Sequence, residues 1–347
     1  MNKLPEIVAH CDWGSQPSKR WIAIATLQSG SYLAYAPQPV GEMSTLIARL
    51  RRQSGRNACI VIGFDFPIGL PSAYAERCGI GSYPDFLQQL TSDTSIASDT
   101  SDSSTSGSSP SRWSRFHEVC STEEEITLER PFYPLRPGGA RRDAIHEALG
   151  FADRNQLYRE CELRHAARTS ASSLFWTLGG NQVGKSALLG WMNVLGPQLA
   201  QKSKSFRLWP FHGTLEALLR PGVMVAMETY PTEYHGRIFG HALRGKRYAA
   251  QRIDLAPAWL ESAHRLGIRM DRKLKRQILS GFVETISGEQ QTRARDEQDD
   301  PLDATIGLFG MLATLKEYGP QFEPNDQEIR TVEGWIFGLT HPLQRAG

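Results

Sequence analysis

The chain has 347 residues, of which 40% are hydrophobic and 22% are charged, and its formal net charge is +2. This length allows one large domain or two modest ones, with enough apolar material for a buried core. The small charge excess does not indicate a dedicated nucleic-acid-binding protein, which usually carries a stronger basic surplus, and it does not exclude nucleic acid as a ligand.

The cysteines and the chain start bear on the compartment. Five cysteines lie far apart without a C-x-x-C pair, so the sequence predicts neither a zinc site nor a disulfide framework. They are Cys11, Cys59, Cys78, Cys120 and Cys161. The start, MNKLPEIVAH, lacks the apolar stretch of a secretory signal, and no apolar segment approaches the ~20 residues that span a bilayer. We therefore expect a cytoplasmic protein with reduced thiols and no membrane contact.

The first predicted elements form a β-β-β-α-β order. Short β-rich runs at 6–14, 21–30 and 31–38 are broken by Gly, Ser and Pro and predict a meander. Residues 43–54 carry apolar side chains at helical spacing, and 57–69 form a nearly continuous apolar strand. This order is typical of an α/β sheet.

A Ser-rich stretch at 91–111 interrupts the predicted core. The stretch TSDTSIASDTSDSSTSGSSPS is almost entirely Ser, Thr, Asp and Gly, a composition that predicts a flexible loop. GVMVAMETYP predicts a returning buried strand, and DDPLDATIGLFGMLATLKEYG predicts the clearest helix. The predicted parts are a first core segment, a Ser-rich loop, a mainly helical insertion and a second core segment, at 1–90, 91–111, 112–221 and 222–347.

Acidic residues recur at the ends of three predicted strands. Asp12, Asp65 and Glu228 each follow an apolar run. Ligands collect at the carboxyl edge of open α/β sheets, so neighbouring strands of this kind bring their acids together. Clustered buried carboxylates repel unless protons or metal ions compensate them. Each acid taken alone is also consistent with a loop or capping residue, although the aromatic surroundings of Asp65 argue against that for this position.

The predicted late helix supplies further acids. One ridge of this helix contains Asp303, Gly307, Gly310 and Thr314. Because a glycine in a helix costs roughly 1 kcal/mol relative to alanine, a glycine ridge indicates a backbone packed closely, here against the sheet, with Asp303 directed toward the strand acids. Asp300 precedes a proline, so it is equally consistent with an N-cap and with a metal ligand.

Six motifs resemble a known family. CDWG with RWIAIA, IGFDFPIGLP, METYPTEY, DDPLDATIGL and VEGWIFG are similar to the predicted RNase H-like nucleases called domain of unknown function 429, within the ribonuclease H-like superfamily. The DPLDA stretch also resembles the terminal D-x-x-D-A of Holliday-junction resolvases. The resemblance covers most of the chain except the Ser-rich loop. It implies a mixed five-stranded sheet flanked by helices, with a large mainly helical insertion.

The resemblance also implies a chemistry. Two Mg²⁺ or Mn²⁺ ions held by carboxylates would support hydrolysis of phosphodiester bonds in nucleic acid. The implied metal ligands are Asp12, Asp65, Asp300 and Asp303, and the implied catalytic acids are Asp12, Asp65, Glu228 and Asp303. The sequence does not decide between DNA, RNA and a small phosphate ester. His10, two residues before Asp12, is interpreted as a core or supporting residue and not as a base.

Two further motifs bear on function. A basic cluster would supply cations for substrate phosphates, and a phosphate-loop pattern indicates a second possible function. Lys246 and Arg247 belong to the basic cluster nearest the predicted acids. Residues 179–186, GGNQVGKS, match the phosphate-loop pattern, which binds nucleotide only where a strand enters it and a helix leaves it. The motif therefore predicts one of two roles for Lys185. It contacts a substrate phosphate, or it belongs to the nucleotide site of an ATP-dependent phosphotransferase or NTPase. A nucleic-acid-binding protein with weak catalysis is the remaining alternative.

Overall fold

The computed structural model describes most of the chain as two compact units. The described residues are 4–98, 112–132, 144–165, 168–177, 182–243, 246, 248–283 and 299–342. The first unit comprises Met1–Asp65, Gly213–Glu323 and Ile336–Pro342, and the second comprises Phe66–His212, Pro324–Trp335 and Leu343–Gly347. The acids predicted to form the site all belong to the first unit.

Within the described ranges, eight strands and twelve α-helices are numbered in chain order. The strands are β1 Ile7–Trp13, β2 Arg20–Gln28, β3 Ser31–Ala34, β4 Gln38–Pro39, β5 Ile60–Phe64, β6 Phe206–Leu208, β7 Met224–Glu228 and β8 Ile268–Met270. The helices are α1 Leu46–Ser54, α2 Ser72–Cys78, α3 Tyr83–Ser98, α4 Ala144–Ala148, α5 Val183–Gly190, α6 Gly196–Ala200, α7 Leu215–Leu218, α8 Pro231–Phe239, α9 Ala249–Asp254, α10 Ala256–Leu266, α11 Arg272–Leu279 and α12 Asp300–Lys316.

A mixed sheet forms the centre of the first unit. Its strands hydrogen-bond in the order β7-β5-β1-β2-β3-β8, and the short β4 pairs with β2. β1, β5 and β7 are parallel neighbours, whereas β2 runs antiparallel to β1 and β3. The three parallel strands are buried along their whole length, which explains their continuous apolar sequences. Their carboxyl ends therefore lie at one edge of the sheet.

Helix α12 packs against β1 and β2 on one face and against α8. Its sequence is apolar almost all round, and every residue from Ala304 to Leu315 is buried. Two glycines allow the close approach that the sequence predicts. A Cβ on Gly307 would lie 2.1 Å from the His10 ring, and one on Gly310 would lie 2.0 Å from the Tyr234 ring. The prediction that both face the sheet is thus wrong for Gly310, which meets α8.

The second unit carries shorter elements. It contains the helices α2–α6, the strand β6, short 3₁₀ turns and irregular segments. It begins at Phe66 and includes 324–335, so it is wider than the predicted insertion at 112–221 and takes in residues from both predicted core segments. Helix α3 continues to Ser98, so the first part of the predicted Ser-rich loop at 91–111 is helical, and residues 99–111 lie outside the described residues.

The predicted fold class holds at the level of a mixed α/β sheet flanked by helices. The predicted count of five strands misses β4 and β8 in the first unit, because segments of two and three residues are too short to show an alternating pattern. All five cysteines are buried and lie outside any disulfide. No helix among the described residues is long and apolar enough to cross a membrane.

Candidate active site

Three of the predicted acids lie at the same sheet edge because their strands are parallel neighbours. Asp12 is the second-last residue of β1, and Glu228 is the last residue of β7. Asp65 directly follows β5, and its backbone N–H donates to the Cys11 carbonyl at 3.0 Å. Asp12 is 8% exposed and Glu228 is 4% exposed. The topology thus gathers side chains from widely separated parts of the chain.

Helix α12 brings Asp303 to Asp12. On β1, His10 and Asp12 point to the same face, since they are two residues apart in a strand. The His10 Nδ1 bonds to the Ala304 carbonyl at 3.1 Å, and the ring lies against Gly307. This contact fixes the first turn of α12 beside the end of β1. Asp303 consequently acts electrostatically on both Asp12 and Asp65.

The carboxyls of Asp12 and Asp65 interact as hydrogen-bonding groups, and this interaction opposes the rise in the pKa of Asp65. A bond between two carboxyl groups requires a proton on one of them. Burial, followed by the negative charge of Asp303, raises the pKa of Asp65 to about 7. The two groups therefore hold a proton between them near neutral pH, as closely placed carboxylates do when cations compensate only part of their charge.

The remaining members of the group have the same tendency. Burial and the charges of Asp303, Asp65 and Asp300 raise the pKa of Asp12 well above its usual value. Burial also raises the pKa of Asp303, against the opposing effect of Lys246. The Asp303 Oδ1 atom is buried and has no hydrogen-bond partner among the described residues. The group thus has more negative charge than its protein partners neutralise.

Two of the predicted acids lie at the margin of this group. Glu228 raises the pKa of Asp65, and β5 lies between its strand β7 and the strand β1 that carries Asp12. Asp300 is the first helical residue and Asp299 is the N-cap, so the N-cap interpretation of Asp300 is wrong. Asp300 instead pairs with Lys19 at 3.1 Å.

The predicted cations have different fates. Lys246 Nζ forms a salt bridge with Asp303 Oδ2, so its ammonium is already bound within the carboxylate group. Burial alone would lower the pKa of Lys246, but the negative charges of Asp303, Asp299 and Asp12 outweigh that effect and raise it. Arg247 lies outside the described residues.

The phosphate-loop pattern does not adopt the geometry of a nucleotide site in its described part. Residues 168–177 contain no strand entering the pattern, and residues 178–181 lie outside the described residues. The N–H of Gly184 donates to the Trp176 carbonyl at 3.0 Å, and those of Lys185 and Ser186 donate to the Gln182 carbonyl. These amides would have to face a phosphate in a working loop. A Cβ on Gly184 would also lie 2.5 Å from a carbonyl oxygen, so this glycine serves packing.

His10 is a buried neutral ring. Burial lowers its pKa to about 3. Because a carbonyl oxygen only accepts, Nδ1 carries the proton, and Nε2 is buried without a partner among the described residues. The interpretation of His10 as a core residue, and not a general base, agrees with this position.

The donor chemistry fits a hard divalent cation. Carboxylate oxygens are the ligands that Mg²⁺ and Mn²⁺ prefer, and the unpartnered Asp303 Oδ1 offers a free acceptor. Among the described residues, no three His, Cys, Asp or Glu side chains already surround one point as metal ligands. The interaction between Asp12 and Asp65 and the salt bridge of Asp303 use oxygens that would have to turn toward an ion.

Sequence reasoning overlooked Lys19, which lies on the 3₁₀ turn before β2. The signal was present in the hairpin, since Asp12 pairs with Trp21 and Trp13 with Arg20, which places the Lys19–Arg20 pair across from the acid.

Comparison of the chain with protein-family models, curated proteins and solved structures finds no match. The functional argument therefore depends on the geometry of the chain itself.

Proposed function

We propose that the protein is a metal-dependent nuclease that hydrolyses phosphodiester bonds in nucleic acid. The observation that carries the proposal is the convergence of Asp12, Asp65 and Asp303, from two parallel strand ends and a helix start, into one charge-coupled group. Isolated structural acids do not need such neighbours, and their mutual repulsion is costly unless a cation binds. Keeping these acids together lowers the stability of the folded protein. A catalytic role would explain why the fold keeps them together.

The arrangement of the first unit supports a ribonuclease H-like fold for this enzyme. An antiparallel meander β1-β2-β3 is followed by α1 and then by β5, which lies beside β1, with β7 beyond it. Acids at the ends of β1 and β5 and on the late helix α12 complete the resemblance. Fold alone does not define function, so the acids carry the argument.

Each residue has a definite part in the proposed reaction. Asp12, Asp65 and Asp303 would hold Mg²⁺ or Mn²⁺, with Glu228 and Asp300 beside them. The bound ions would supply Lewis-acid polarisation of the phosphate and a water of lowered pKa. The carboxylates fix the position of the scissile group, and buried His10 holds α12 and its Asp303 in place through Ala304.

A basic helix supports a polyanionic substrate. Helix α11 buries Leu274 and Ile278 and exposes four cations. These are Arg272, Lys273, Lys275 and Arg276. None of the four forms an ion pair with another described residue, so their charge faces solvent. A cluster of unneutralised cations on one helix suits a phosphate backbone.

The test is a nuclease panel of single-stranded, double-stranded and branched DNA and RNA with Mg²⁺ or Mn²⁺. We expect wild-type cleavage to require the metal ion and to fall by about 10³-fold in Asp12→Asn and in Asp65→Asn. Lys185→Ala is the matched control and should retain wild-type cleavage, because the amides of its loop are engaged within the chain.

Other outcomes discriminate the alternatives. ATP turnover that disappears in Lys185→Ala would replace the nuclease by a phosphotransferase or NTPase. Binding of nucleic acid without turnover in either metal ion would identify a binding protein. Cleavage that persists in Asp65→Asn would overturn the proposal, since the reaction would then not depend on the carboxylate group.

A further inference from the structure

The carboxylate group contains a cation of the protein's own. The ammonium of Lys246 lies on Asp303 Oδ2, and its side chain is 27% exposed. Its positive charge also acts on Asp12 and on Asp65. Lys19, the other cation next to the group, instead bonds to Asp300. Lys246 is therefore the cation that partly compensates all three central acids.

The backbone of Lys246 is anchored from outside the group. Its carbonyl oxygen accepts from Arg252 Nη1 at 3.0 Å, and Arg252 Nε donates to the Gly281 carbonyl at 2.6 Å. Arg252 is 1% exposed, which makes it an interior support. A lysine side chain has four flexible methylene groups beyond a backbone held in this way. Its ammonium can leave Asp303 while the backbone stays in place.

A divalent ion and the ammonium would compete for the same carboxylate. One Asp303 oxygen, Oδ2, carries Lys246, and the other, Oδ1, is buried without a partner in the described part of the chain. A metal ion at Asp303 and the ammonium would repel each other at such short range, all the more because the site is partly buried. Binding of the ion therefore favours release of the lysine.

We propose that Lys246 is an internal counterion that occupies the cation position at Asp303 and is displaced when a divalent ion binds, which rests on the proposed function. In the metal-free protein it limits the repulsion among Asp12, Asp65 and Asp303. After displacement its ammonium moves away from Asp303 and from the ion, while Arg252 keeps the Lys246 backbone in place. Lys246 is thus a positioning residue that sets the ion affinity of the group.

Competition between the Lys246 ammonium and the ion should lower the apparent affinity of the carboxylate group for the ion. If the ammonium occupies Asp303 in about nine molecules out of ten, the apparent affinity for the ion is reduced about tenfold. Lys246→Met keeps an apolar stem and removes the charge, so it should bind Mn²⁺ about tenfold more tightly than wild type. Lys246→Arg should bind Mn²⁺ more weakly, since a guanidinium grips a carboxylate with two parallel hydrogen bonds.

The experiment is isothermal titration of the full-length chain with Mn²⁺ at one fixed pH, with circular dichroism to verify folding. Lys316→Met is the matched control, because Lys316 lies at the other end of the Asp303 helix and donates to the Arg265 carbonyl. It removes the same charge and should leave Mn²⁺ affinity unchanged. Adding Asp303→Asn to Lys246→Met should abolish the gain, which locates the competition at that carboxylate.

A second measurement detects the release itself. Lys246 should react with an amine-directed acylating reagent faster when Mn²⁺ is present, as read by mass spectrometry of the modified peptide, and Lys316 should not. This readout remains decisive if Lys246→Met fails to fold. Wild-type binding of Mn²⁺ with unchanged labelling, or with equal affinity in folded Lys246→Met, would overturn the inference and leave the proposed nuclease intact. Absence of Mn²⁺ binding in wild type would instead remove the metal site on which both proposals depend.

Discussion

The raised pKa values of single carboxyl groups have consequences for stability. Burial raises the pKa of Asp12, Asp65 and Asp303, whereas an Asp in an unfolded chain titrates near 3.9. Between that value and the folded value of about 7 for Asp65, the folded protein binds more protons than the unfolded chain. The stability contribution of Asp65 is thus complete in acid and is lost as the pH rises through about 7.

The first prediction concerns Asp65→Asn without added metal. The amide keeps the shape and cannot ionise, so the variant should lose less stability than wild type between about pH 5 and about pH 8. At the higher pH it should be the more stable by at least ~1 kcal/mol, or about 2–4 °C in Tm. Thermal unfolding across pH checks this. Asp254→Asn, in an exposed helix end of the same unit, is the control, and a parallel pH profile for all three proteins would contradict the prediction.

The second prediction concerns the close contact between α12 and β1. Gly307→Ala places a methyl group 2.1 Å from the buried His10 ring, which cannot move freely. We expect a loss of about 1–3 kcal/mol in unfolding free energy. Gly236→Ala is the matched control within a helix, because nothing lies within 4 Å of its Cβ position, and it should stabilise by about 0.5–1 kcal/mol. Equal effects in denaturant titrations would show that the His10 contact does not constrain α12.

At the scale of elements, helix α11 separates its functions by face. Leu274 and Ile278 pack inward, while the cations of the helix face solvent. One apolar side chain of α11 also faces solvent: Leu279, the last residue of the helix, is 49% exposed. Since exposed cations contribute little to folding, their removal tests binding without disturbing the core.

The third prediction is that Lys273→Gln combined with Arg276→Gln weakens nucleic-acid binding without altering Tm by more than about 1 °C. The slope of log affinity against log salt should decrease by up to about 1.8, since each phosphate contact contributes about 0.9. Fluorescence anisotropy at several salt concentrations measures this. Lys202→Gln with Lys204→Gln, two exposed cations of the second unit, should change neither quantity, and an unchanged slope in the α11 variant would reject this face as the phosphate contact.

At the scale of the whole molecule, we expect metal binding to change amide exchange in the first unit only. The acids that would hold the ion come from the first unit alone. The fourth prediction is that Mn²⁺ slows amide hydrogen exchange in β1, β5 and the start of α12, whereas α5 of the second unit is unaffected. Mass spectrometry of proteolytic fragments measures the change, which should disappear in Asp303→Asn. Protection limited to other elements would place the ion elsewhere.

Much of the first unit could be predicted from local pattern. The meander, β5, β7 and α12 have apolar runs long enough to define their type, and the acids at their ends follow from the direction of parallel strands. Irregular segments of the second unit gave no such periodicity. The GGNQVGKS pattern left two interpretations open, because letters do not reveal that the Gly184, Lys185 and Ser186 amides already have carbonyl partners.

The sequence by itself determined the buried apolar strands, the late helix and the identity of the acids, since these depend on short-range periodicity and burial. Only the tertiary structure decided that Lys246 lies on Asp303 and Lys19 on Asp300. It also decided that Glu228 remains marginal, with β5 between its strand and β1. Those contacts join residues up to hundreds of positions apart, and electrostatic pairing at such separations depends on packing geometry that no local pattern encodes.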